Sequence, residues 1–93
     1  MEDLVPTEFY LSQNYPNPFR ERTTIKYCLP EEIKIKLEII NSKKEKIDTL
    51  VDEVKEAGTY QVAFNPNGLQ SNNYYYRMQA GNFVETKKMV LMK

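Results

Sequence analysis

Ile33, Ile35, Leu37 and Ile39 alternate with Lys34, Lys36 and Glu38. A repeat of two places successive side chains on opposite faces of an extended chain, so this run predicts a half-buried strand with β-branched residues inside. The same alternation recurs over residues 23–29, where Ile25, Tyr27 and Leu29 oppose Thr24, Lys26 and Cys28 before Pro30 closes the run. It recurs again where Tyr60, Val62 and Phe64 oppose Thr59, Gln61 and Ala63, and where Tyr74, Tyr76 and Met78 oppose Tyr75, Arg77 and Gln79. Ile47, Leu50, Val51 and Val54 have spacings that suit either a strand or one or two helical turns. A short strand over residues 46–51 is the preferred reading, and a last strand covers residues 83–92.

Between these runs lie Asn41-Ser42-Lys43-Lys44, Ala57-Gly58, Asn65-Pro66-Asn67-Gly68, Asn72-Asn73 and Ala80-Gly81-Asn82, all with turn composition, the last predicting a hairpin. Asn14-Tyr15-Pro16-Asn17-Pro18-Phe19 carries two prolines, which fix their own φ and push the residues before them toward extended backbone. It predicts a rigid extended bend. Residues 1–6 read as a linker from an upstream domain and residues 7–93 as the domain itself. About seven short strands without a long helix predict an all-β, antiparallel immunoglobulin-like β-sandwich, with an open barrel as the structural alternative. The expected core is Ile25, Tyr27, Leu29, Ile33, Ile35, Leu37, Ile39, Leu50, Tyr60, Val62, Phe64, Tyr74, Tyr76, Met78, Met89 and Leu91.

Composition narrows the class of function. A chain of 93 residues holds one core, and 41% apolar with 28% charged residues is an ordinary globular mix. Thirteen basic residues balance thirteen acidic ones, so no net field draws the domain to nucleic acid, and no nucleic-acid partner is expected. The longest apolar runs are four residues, far below the roughly 20 of a membrane span or the about 7 to 15 of a signal-peptide core. Neither is expected here, so a longer exported protein would have to carry its export signal upstream. Cys28 is the single cysteine, which leaves the fold to stand without an internal disulfide.

Candidate chemistry is sparse. The absence of histidine removes the commonest general base and the commonest transition-metal ligand together, and Cys28 has no base to activate it. Three scattered glycines build no phosphate-cradling loop. Asp48, Asp52, Glu53 and Glu56 are interspersed with Lys43, Lys44, Lys46 and Lys55, a solvated surface rather than a calcium loop. No catalytic, cofactor or metal site is therefore expected. Tyr75, on the face opposite Tyr74 and Tyr76, offers a sugar-stacking platform or, preferred, an ordinary cross-strand aromatic contact. Lys87, Lys88 and Lys93 serve at the least to solvate an edge strand.

Taken together, the residues from Phe9 through Phe19, Thr23-Thr24-Ile25-Lys26-Tyr27, Leu29-Pro30-Glu31, Leu37-Glu38-Ile39, Ala57-Gly58-Thr59-Tyr60, Tyr74-Tyr75-Tyr76-Arg77 and the terminal block from Glu85 to Lys93 resemble the type IX (Por) secretion system C-terminal sorting domain. Immunoglobulin-like domains of flagellar hook-capping proteins share the middle of this pattern. The resemblance implies the last part of an exported cargo protein, recognised by an outer-membrane translocon and commonly removed by a sortase-like peptidase. The parent reaches the cell surface or the medium through the periplasm. It also implies recognition through Lys87, Lys88, Met89, Val90, Leu91 and Lys93. Asn14, Tyr15, Pro16, Asn17, Pro18, Phe19, Gly58, Tyr60, Tyr74 and Tyr76 are then the structural motif. Such recognition suits an exposed last strand whose unpaired backbone adds to a partner's sheet, an edge that equally permits a dimer. Two positions depart from the family pattern. Lys44 stands where it usually has glycine, and Ser71-Asn72 stands where it usually has Ser-Gly, with Asn72 expected to keep a positive φ. The competing readings are a carbohydrate-binding or adhesive module appended to a hydrolase, with Tyr75 or Tyr10 stacking on sugar, and a plain immunoglobulin-like spacer.

Overall fold

The computed structural model describes residues 6–92. Among them the alternating segments form seven strands and no helix: β1 (Tyr10–Leu11), β2 (Thr23–Leu29), β3 (Ile33–Ile40), β4 (Lys46–Lys55), β5 (Gly58–Phe64), β6 (Asn72–Ala80) and β7 (Phe83–Leu91). They make two antiparallel sheets, ordered β1-β2-β5 and β4-β3-β6-β7, the two layers of a β-sandwich. The central pairs follow from the hydrophobic pattern. Leu37 lies opposite Val51 and Met78, and Ile39 opposite Tyr76, so each inward row meets another inward row.

Twelve of the sixteen expected core residues are buried; Ile33, Leu50, Tyr60 and Val62 are only partly so and pack around the rim. Leu11, Phe19, Val51 and Ala80 complete the buried set without having been expected. Aromatic contacts add to the packing: Tyr27 stacks on its cross-strand neighbour Tyr60 within the three-stranded sheet at 5.4 Å between centroids, and Phe19 meets Phe64 of β5 edge-on at 6.2 Å.

The fourth strand is longer than its alternation suggested, running to Lys55 rather than Val51, because β3 pairs with it along its whole length from Ile33 to Ile40. Register shifts between Leu37 and Glu38 and between Ile39 and Ile40 each insert an extra β4 residue, Leu50 and Ile47. Phe83 follows Ala80 after a two-residue turn, with Gly81 first at φ 59°. Asn72 is a correction: neither it nor Asn73 takes a positive φ, and both already belong to β6. Lys44 keeps the left-handed backbone that glycine would supply, at φ 68°. Asn41 organises that turn by accepting the amides of Lys43 and Glu45 on its Oδ1, each at 2.9 Å.

The segment ahead of β2 joins the sheets. Tyr10 and Leu11 pair with Cys28 and Tyr27, and Tyr15 exchanges both backbone hydrogen bonds with Thr24 at 2.9 Å. The chain then bends through two cis peptide bonds, Tyr15-Pro16 and Asn17-Pro18, and reaches the other sheet, where Phe19 bridges Leu91 in parallel.

Candidate functional site at the edge of the last strand

The expected recognition residues lie on β7, an edge strand with β6 on one side. Alternation divides them. Met89 and Leu91 are buried in the core, where they anchor the strand. Lys87 shares their face at its margin and pairs with Glu85 at 3.2 Å, while Lys88 is exposed on the opposite face. Val90 is half-buried, and Lys93 lies outside the described residues.

The free side of β7 is only partly free. In an antiparallel ladder both backbone groups of a residue point the same way and alternate residues point away from the partner. Val90 and Met92 point away from β6, and both are satisfied by the bend. The Phe19 amide donates to the Val90 carbonyl, the Met92 amide donates to the Phe19 carbonyl, and the Val90 amide donates to Asn17 Oδ1, each at 2.9 Å. Gln13 Nε2 donates to the Lys88 carbonyl at 2.7 Å. The outward groups left for a partner strand are those of Val84 and Thr86 with the Lys88 amide.

A buried polar cluster holds this clasp in shape. Asn14, 2% exposed, donates to Thr23 Oγ1 at 2.9 Å and to the Pro16 carbonyl, which also accepts the Thr23 hydroxyl at 2.8 Å. The Tyr76 hydroxyl donates to the Ser12 carbonyl across the sandwich. Burial pushes its pKa up to about 12, against the pull of the Asn14 amide. Ser12, Gln13 and Thr23 entered the resemblance only within longer runs and were given no role of their own, because their partners lie elsewhere in the chain and small polar residues carry no periodic signal. The paired asparagines around two prolines are the one local clue.

The other motif residues support the sheets. Gly58 opens β5 opposite Leu29, Tyr60 donates its hydroxyl to the Glu56 carbonyl at 2.7 Å, and Tyr74 donates to the Gln70 carbonyl at 2.8 Å. Tyr15 is exposed at 81%, and Pro16, Asn17 and Pro18 beside it are exposed as well.

On the outer face of the four-stranded sheet, Glu38, Ile40, Lys44, Tyr75, Arg77 and Thr86 border an open hollow of about 510 Å³. Glu38 is 5% exposed there although it faces outward, because Arg77 at 3.1 Å and Lys46 at 3.4 Å cover its carboxylate. Burial alone would raise its pKa. The hydrogen bonds from Arg77 and Lys46 and the charges of Lys46 and Lys36 prevail and hold it below the ordinary carboxylate range. Asp52 and Glu53 of the acidic segment pair with Lys34 and Lys55, and Cys28 Sγ lies 3.6 Å from Thr59 Oγ1.

A search of curated proteins finds no match to the chain. A family model described as the secretion system C-terminal sorting domain matches residues 13–92, from the glutamine that caps Lys88 to the last described residue of the clasped strand. The chain belongs to that family, and its domain is the type IX sorting signal that routes a protein through the periplasm to the cell surface or the medium by engaging the type IX secretion machinery.

Proposed function

We propose that the outer-membrane translocon reads residues 87–93 as the clasp presents them, with residues 7–93 acting as one recognition domain that a sortase-like peptidase then removes. What carries this reading is the bonding of Val90 and Met92 to Asn17 and Phe19, which holds the terminal strand in one position. Beside the clasp, Val84 and Thr86 offer a partner strand unpaired backbone, and exposed Lys88 adds a charge to steer it. Met89 and Leu91 set the register by filling the core. The domain itself is a signal and not a catalyst, and the parent's chemistry belongs to whatever it is fused to.

Fusion of the chain to a signal-bearing reporter in a type IX secreting bacterium tests the proposal. Removing residues 87–93 is expected to abolish surface delivery, and Asn17→Ala to reduce it while leaving every recognition residue in place. Equal delivery with and without residues 87–93 overturns the reading.

A further inference from the structure

Within the bend, Asn14, Asn17 and Phe19 turn their side chains into the fold. Tyr15 does not. Its ring is 81% exposed and its hydroxyl meets no group among the described residues, although its backbone is fixed on both sides by Thr24. A solitary exposed aromatic is ordinary on a protein surface, so the ring alone decides nothing.

Its surroundings add a second observation. Tyr15 and Thr24 divide two shallow hollows, one bordered by Arg20 and Arg22 and the other by Lys26. No ion pair among the described residues involves these three cations, as none involves Lys36, Lys43, Lys44 or Lys88, whereas Lys34, Lys46, Lys55, Arg77 and Lys87 are paired. Glu21 is the one acid bordering these hollows, so three positive charges face one negative charge in a chain whose net charge is zero. The surface is continuous with the terminal strand, because Gln13 borders the second hollow and donates to the Lys88 carbonyl.

We infer that Tyr15, flanked by Arg20, Arg22 and Lys26, is a docking anchor for an acidic protein surface of the secretion machinery. An exposed tyrosine bordering two hollows can enter a pocket in a partner, as interface hot-spot residues do, and it is ordered there at low entropic cost. Unpaired guanidinium groups beside it match carboxylates bidentately, which favours an acidic partner surface. The inference rests on the sorting function and adds a contact surface distinct from residues 87–93.

The test uses the full chain on an exported reporter, with Tyr15→Ala, the triple variant Arg20→Glu/Arg22→Glu/Lys26→Glu, and a photo-crosslinking residue at position 15. Tyr15→Ala is expected to melt within about 1 °C of the parent, since the residue is 81% exposed, yet to lower surface delivery about tenfold, the scale of one hot-spot residue. The charge-reversed variant is expected to fall comparably, and the crosslink to land on a protein of the outer-membrane secretion apparatus. A melting temperature lowered by more than about 4 °C would mark Tyr15 as structural and overturn the anchor. Crosslinking to lipopolysaccharide alone overturns it too. If Tyr15→Ala is delivered normally while removal of residues 87–93 blocks delivery, the anchor fails and the terminal-strand reading stands. The reverse pattern brings down the terminal-strand reading and leaves the anchor.

Discussion

At Lys44 the chain accepts a left-handed backbone with a side chain attached, at φ 68°. For an L-residue that conformation costs roughly 1–2 kcal/mol, which glycine avoids at some expense in unfolded-state entropy. Lys44→Gly is therefore expected to stabilise the domain by about 0.5–1 kcal/mol, read as a higher urea midpoint at unchanged slope. This position was visible in the sequence as a departure from the family pattern, but its backbone was not. Nothing in a lysine codon reports φ; the turn is dictated by Asn41, whose side chain gathers the amides around it. Asn72 shows the converse, a residue that tolerates positive φ without being asked for it. Tyr15 was grouped with the structural motif; like Pro16, Asn17 and Pro18 it is exposed, whereas Asn14 and Phe19 at the two ends of the bend are buried.

The elements were legible where alternation was unbroken. Strands β2, β3, β5 and β6 show it cleanly and fall close to the expected residues. In β4 the inserted residues Ile47 and Leu50 break the period of two, so the same apolar positions also fit a helical spacing and the strand's far end went unread. β1 has two residues, too few for any period. The clasp on β7 was illegible for another reason, since Asn17 and Val90 are 73 residues apart and one sequence does not announce such pairs. Amide exchange checks the arrangement of that edge. The amides of Val90 and Met92 are expected to be protected, and those of Val84 and Thr86 to exchange at rates near those of unstructured backbone. Asn17→Ala is expected to release the Val90 amide, leave Met92 protected, and cost about 0.5–1 kcal/mol for one exposed hydrogen bond.

The whole molecule rests on a core in which two large side chains keep a titratable tip. Burial raises the pKa of both Tyr27 and Tyr76 to about 12, with Tyr60 and Glu53 adding to the effect at Tyr27. A proton held more tightly in the folded state contributes stability in full below the unfolded tyrosine pKa near 10 and loses it as pH rises toward the folded value. Chemical unfolding is therefore expected to show stability falling between about pH 10 and pH 12, with Tyr76→Phe flattening part of that decline. Seen at this scale, the fold class was readable from alternation and turn residues, while the joining of the two sheets by residues 10–19 was not. That joining bears on timing. The terminal strand is the last part of the domain to be synthesised and the bend that clasps it is among the first. The finished edge therefore comes into being only after the bend at Asn17 and Phe19 has met Val90 and Met92, and on the reading proposed above a translocon would engage only the folded domain.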